Sequence, residues 1–145
     1  MRDAFGGTFM IKLMLIFLAI YIAFIAVALN YAKAFRVKNK IIDIIEQNEG
    51  IDDYNDTNGV LGDINTYLNT VSYYVLLDDK EASNTENNHC YKNGYCIEEH
   101  SIEVNDIDTK YYKVTTYIRI NFPFFGLNFT IPIQGETRKI ERINT

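Results

Sequence analysis

The pattern of apolar and polar positions divides the chain near Asn48. From Leu13 to Leu29 (LMLIFLAIYIAFIAVAL), seventeen residues carry no charge, no Pro and no Gly. A bilayer core about 30 Å thick asks for about 20 apolar residues at about 1.5 Å each, with about 17 as the lower limit. The run, marked by Leu13, Phe17, Ile20, Phe24 and Leu29, is therefore a transmembrane candidate at the short end. Lys12, beside its start, can carry its ammonium to the interface on an apolar stem. The helical period does not stop at Leu29. Ala34, Val37, Ile41, Ile44 and Ile45 follow at helical spacing, while Arg36, Lys38, Asn39, Lys40, Asp43 and Glu46 fill the other face. Gly50 is a natural stop. The pattern predicts one helix over 10–48, about 58 Å long. Its first half is apolar all round, and its second half is amphipathic and outside lipid. An anchor alone has no use for that second apolar stripe, which predicts a domain, or neighbouring copies, packed against it.

Residues 1–9 (MRDAFGGTF) read as a short leader, and residues 50–59 (GIDDYNDTNG) as a turn-rich linker. Val60, Leu61, Ile64, Tyr67, Leu68 and Val71 then predict a helix over about 58–70, with Thr57 or Asn58 as N-cap. Ser72–Leu77 (SYYVLL) reads as a buried strand, followed by a polar surface loop, DDKEASNTENNH. In CYKNGYC a three-residue turn with Gly94 left-handed pairs Tyr91 with Tyr95 and sets Cys90 opposite Cys96. Further strands are expected over Ser101–Val104, over Tyr111–Phe122 with Pro123 as its stop, over Phe125–Ile133, and weakly over Glu136–Ile143. Residues 50–145 thus form an α+β domain whose small antiparallel sheet can rest on the amphipathic half of the long helix.

Charge sharpens this division. Residues 1–49 carry +2, residues 50–109 carry −11 and residues 110–145 carry +4, for a net −5. Such blocks can pair within one chain or between copies, and either pairing is salt-sensitive. The acidic middle argues against a nucleic-acid partner. The two cysteines, Cys90 and Cys96, read as a disulfide that stiffens a hairpin rather than holding the fold together.

Three chemical readings compete with structural ones. His89, Cys90, Cys96 and His100 are zinc-ligand types, but their spacing matches no common zinc pattern. Tyr54-x-Asp56-x-Asn58-Gly59 imitates part of a calcium loop, yet Tyr54 and Asn65 stand where Asp and Glu are needed; Asp52, Asp53 and Asp63 complete the acidic surroundings of a solvated linker. Cys96 with His100 is the one nucleophile pairing, without a nucleophile elbow or phosphate loop to accompany it. The reading is non-enzymatic, with no cofactor, no metal and no small-molecule substrate. The eleven tyrosines read as core and sheet residues.

A polar leader ending in Gly, a helix that is lipid-like and then amphipathic (Phe9 to Asn48), and the run VTTYIRINFPFFGLNFTIPIQGETRKIERI (Val114 to Ile143) resemble type IV pilins and pseudopilins. Within that class the chain is most similar to TadE-like proteins of tight-adherence pilus systems. The resemblance implies a subunit held in the cell membrane by one span, its C-terminal domain outside, that joins a filament or its priming complex through helix-to-helix packing. The implied partners are membrane lipid and copies of itself or other pilin-like subunits. Val37, Ile41, Ile44 and Ile45 would dock the helix on its own sheet or on neighbouring helices, and Lys33, Arg36, Lys38 and Lys40 would meet the acidic middle of an adjacent copy. The chain departs from the pilin pattern at one position: after cleavage behind Gly7, the fifth mature residue is Lys12, where pilins usually carry Glu.

Two alternatives stay open. The cations after Leu29 favour a cytoplasmic C-terminus by the positive-inside rule, against the cysteine pair and the pilin-like layout, which favour outside. Ala26-Val27-Ala28 and Ala32-Lys33-Ala34 also fit signal-peptide cleavage, and the competing function is a small binding or adhesion domain, membrane-anchored or secreted in this way, with no filament role.

Overall fold

Helix α1 (Arg2–Gln47) is the first element of the computed structural model, which describes residues 2–78, 82, 84–104, 107–122 and 126–141. The expected leader is therefore helical from Arg2 onward. Gly6 and Gly7 each cost about 1 kcal/mol relative to Ala, but both keep their N–H, and no Pro lies before Pro123, so nothing in the sequence breaks the ladder there. The chain divides into two compact units, Met1–Ala32 and Lys33–Thr145, and α1 contributes to both.

The stop of α1 is a two-residue device. Glu49 takes the left-handed conformation (φ 56°) and donates its N–H to the Glu46 carbonyl at 3.3 Å. Gly50 (φ 113°) donates to the Ile45 carbonyl at 2.9 Å. This is a Schellman ending, and it satisfies carbonyls that the helix leaves orphaned. Helix α2 (Val60–Thr70) ends the same way: Ser72 is left-handed (φ 51°), its N–H bonds the Asn69 carbonyl, and the Tyr73 N–H bonds the Leu68 carbonyl at 2.9 Å. At its start, α2 is capped by Gly59 with no side-chain hydrogen bond, in place of the expected Thr57 or Asn58. Leu61, Ile64 and Leu68, at helical spacing, form its buried stripe.

The sheet is an antiparallel meander of β1 (Asn88–Tyr91), β2 (Tyr95–Val104), β3 (Ile107–Phe122) and β4 (Leu127–Glu136), with β5 (Ile140–Glu141) also paired to β3. β2 is one long strand that absorbs the expected Ser101–Val104 segment. Along β3 the even-numbered residues Tyr112, Val114, Thr116, Ile118 and Ile120 are buried, the period of two that a half-covered sheet imposes. Pro132 sits inside β4, opposite Tyr117; β4 is an edge strand, the place where a missing N–H is tolerated. Glu136 pairs with Lys113 and Ile140 with Lys110, so β4 and β5 hold one residue more than β3 between these pairs, which is a bulge. The Thr137 Oγ1 bridges it, accepting the Tyr112 N–H at 3.0 Å. Pro123 and the strand limits expected at Phe125 and Ile143 lie outside the described residues.

The expected buried strand at Ser72–Leu77 does not form. Tyr73 is buried, while Tyr74 and Leu76 are exposed. β2 begins at Tyr95, opposite Thr116, so the β3 edge beyond that pair has no strand on this side among the described residues. The Tyr73 hydroxyl takes the place of a ladder there. It donates to the Tyr117 carbonyl at 2.7 Å, with the Gly94 carbonyl at 3.0 Å as a second acceptor, and it accepts the Tyr117 N–H at 3.0 Å.

Candidate membrane span and helix-docking site

Leu13, Phe17, Ile20, Phe24 and Leu29 are all exposed in unit Met1–Ala32, and Met14, Leu15, Ile16 and Leu18 carry the exposed apolar surface round the rest of the helix. Contiguous apolar exposure on this scale is foreign to a water-facing surface. A helix satisfies its own backbone, so the segment can enter hydrocarbon without leaving a polar group unpaired. It is long and apolar enough to cross a membrane.

The second half of α1 belongs to the other unit. Val37, Ile41, Ile44 and Ile45 are buried, with Ile41 and Ile45 at 0 % exposure. The docking is close: the Thr116 hydroxyl donates to the Ala34 carbonyl at 3.2 Å, and a Cβ placed on Gly135 would stand 2.9 Å from Lys38 Cδ and 3.0 Å from Ile42 Cδ1. Gly135 is what lets helix and strand approach this far. At the end of the helix, Glu46 receives the Arg138 N–H at 2.8 Å and pairs with Arg138 Nε at 3.2 Å, tying α1 to the sheet bulge. The Tyr112 hydroxyl accepts the Ile51 N–H, fixing the exit from the helix.

The four cations singled out on this stretch separate into two kinds. Arg36 is exposed and Lys40 partly so, whereas Lys38 is 8 % exposed, its ammonium 4.2 Å above the Phe35 ring. Lys38 is thus a packing residue within its own chain. Lys33 donates to the Ser72 carbonyl at 2.9 Å, pinning the loop after α2.

Cys90 and Cys96 form a disulfide across a hairpin in which Tyr91 pairs with Tyr95 and Gly94 has φ 93°. The register places His89 and His100 on opposite faces of the sheet: His89 stacks on Tyr54 at 3.9 Å, and His100 stacks on Tyr111 and meets Glu98 at 3.4 Å. The zinc quartet is not assembled. In the linker, Asp53 accepts the Asn55 N–H and Asp56 the Asn58 N–H, both at 2.8 Å, so these carboxylates serve turns of their own chain. Among the described residues, no three of His, Cys, Asp and Glu come together as metal ligands.

A polar knot unnoticed in the sequence joins the linker to the sheet. Glu99 accepts the Tyr54 hydroxyl on one oxygen and the Lys110 ammonium on the other, each at 2.7 Å. Burial, and then the Glu99 carboxylate, hold the Tyr54 phenol well above its ordinary pKa, so it stays a donor. Tyr91 and Tyr95 stack at 4.8 Å, with Tyr95 wholly buried. These aromatics are core and linker packing rather than an open platform.

Set against known proteins, the chain matches no family model, no curated protein and no solved structure.

Proposed function

We propose that the chain is a membrane-embedded, pilin-like structural subunit. It is anchored by Leu13–Leu29 with its sheet domain outside the cell membrane, and it assembles through its N-terminal helix into a pilus or pseudopilus. The observation that carries this reading is one helix with two fates: exposed apolar residues first, then a stripe docked on the chain's own sheet. The Cys90–Cys96 bridge supports the outside placement, since disulfides persist in oxidising compartments. Because Val37, Ile41, Ile44 and Ile45 are committed to the chain's own core, self-association falls to the exposed apolar half. Salt-sensitive contacts with the acidic middle of a neighbour fall to Arg36 and Lys40.

The test is photocrosslinking in the native membrane from a benzophenone side chain at Phe24, together with the intact mass of the mature protein. A ladder of self-adducts, on a chain that starts at Met1 or Thr8, supports the subunit. Adducts to lipid alone favour an anchored binding or adhesion domain. A start after Ala28 or Ala34 removes the span and ends the proposal. Reversing Arg36 and Lys40 to Glu should shorten the ladder while the monomer stays folded.

A further inference from the structure

The sheet has two ends of opposite character. At one, the covered face runs on past Thr116 through the pairs Ile118–Ile131, Ile120–Phe129 and Phe122–Leu127. Leu127, Phe129 and Ile131 are nonetheless 48 %, 48 % and 42 % exposed, an apolar strip left open. Tyr74 and Leu76 are exposed at the same end, held there because Arg119 donates to the Leu76 carbonyl at 3.5 Å and Lys33 to the Ser72 carbonyl at 2.9 Å. Both cations are exposed, and each keeps further N–H donors beyond the one engaged. Near the other end Glu103 sits opposite Asp108, while Glu98 and Glu99 lie mid-sheet, opposite Lys113 and bonded to Lys110 respectively.

This polarity matches the order of the chain. α1 enters the unit at Lys33 and Ala34, and the Ala34 carbonyl accepts the Thr116 hydroxyl two residues along β3 from Ile118, the partner of Ile131 at the near edge of the strip. Leu29, the last residue of the apolar run, is four residues earlier, at most about 14 Å of chain. Apolar side chains ringed by cations are what the headgroup layer of an anionic bilayer receives: hydrocarbon contact for the first, phosphate for the second.

We propose that Leu127, Phe129 and Ile131, with Tyr74 and Leu76, form a second membrane contact that seats this end of the sheet domain in the headgroup layer of an anionic phospholipid bilayer, with Lys33 and Arg119 on the phosphates. The contact rests on the membrane span at Leu13–Leu29. It would make the domain a cap resting on the bilayer surface, to be lifted from lipid when the subunit leaves the membrane.

The chain contains no tryptophan, so a single Trp reports one site without background. Full-length Phe17→Trp, Phe129→Trp and Ile107→Trp proteins are reconstituted into vesicles of mixed zwitterionic and anionic phospholipid with brominated acyl chains. Ile107 lies thirteen residues from Ile120 along β3, roughly 43 Å away, at the acidic end. The expected result is blue-shifted, bromine-quenched emission from Phe17→Trp and Phe129→Trp, and unquenched emission from Ile107→Trp. Quenching of Phe129→Trp should fall when the anionic lipid is left out; equal quenching in purely zwitterionic vesicles overturns the role given to the cations. Quenched Phe17→Trp with unquenched Phe129→Trp overturns the second contact and leaves the span intact. Blue-shifted but unquenched Phe129→Trp emission that grows with protein density assigns the strip to a second copy and overturns it as well. Unquenched Phe17→Trp removes the span, and the second contact with it.

Discussion

Replacing Tyr73 by Phe removes one oxygen atom and leaves the buried ring in place. That oxygen donates to the Tyr117 carbonyl, with the Gly94 carbonyl beside it, and accepts the Tyr117 N–H. Without it, the Tyr117 N–H and carbonyl lose their hydrogen bonds to the Tyr73 oxygen. An orphaned buried polar group costs about 1–3 kcal/mol, and water can reach part of the β3 edge, so the expected loss is about 2 kcal/mol. For a domain of about 100 residues each kcal/mol moves Tm by about 4 °C, so the variant should melt about 8 °C lower. The assay is thermal unfolding of the full chain in detergent micelles, followed by near-ultraviolet circular dichroism of the tyrosines. Far-ultraviolet signal would be dominated by the long helix. Tyr74→Phe, at an exposed neighbour, is the control and should fall within about 0.5 kcal/mol of the parent. If Tyr73→Phe also melts within that margin, the hydroxyl is not substituting for a ladder and the reasoning fails. Alkaline pH offers a second reading. Burial pushes the Tyr73 phenol up to about 12, against an ordinary value near 10. The fold therefore favours the neutral phenol, and its contribution is complete below about pH 10 and lost as pH rises toward 12. That share of the alkaline destabilisation should vanish in Tyr73→Phe.

Other positions give contrasting signs. The Tyr95 hydroxyl is buried without a hydrogen-bond partner among the described residues, so Tyr95→Phe should stabilise by about 1 kcal/mol, read as a rise in the same melt. Glu49 and Ser72 hold left-handed conformations at the two helix stops; Glu49→Gly and Ser72→Gly should each stabilise by about 0.5–1 kcal/mol, and a loss at either would refute the strain argument. The Cys90–Cys96 bridge closes a loop of sequence separation 6. Its removal in Cys90→Ala/Cys96→Ala should cost about 2 kcal/mol while leaving the backbone amide chemical shifts of β3 and β4 unchanged, whereas loss of those shifts would show the bridge to be structural for the whole domain.

What the sequence determined by itself was whatever depends on period and local chemistry. The uncharged run Leu13–Leu29 and the stripe Val37, Ile41, Ile44 and Ile45 needed only helical spacing to be read as apolar all round and then one-sided. The hairpin register at Cys90–Cys96 followed from a three-residue turn and one glycine. Alternation along Tyr111–Phe122 marked the central strand. The tertiary structure decided the rest, because the deciding contacts join residues far apart in the chain. Ser72–Leu77 has the composition of a strand, but the sheet offers that segment a tyrosine hydroxyl instead of a ladder, from residues more than forty positions away. Lys38 looks like its exposed neighbours in sequence and is buried only because Gly135 admits it. Glu46 finds Arg138, and Glu99 finds Tyr54 and Lys110, through a bulge and a linker whose paths no local rule specifies. The exposed end of β4 belongs with these: Leu127, Phe129 and Ile131 alternate along a segment expected as a strand, and only the tertiary structure shows that side of it uncovered.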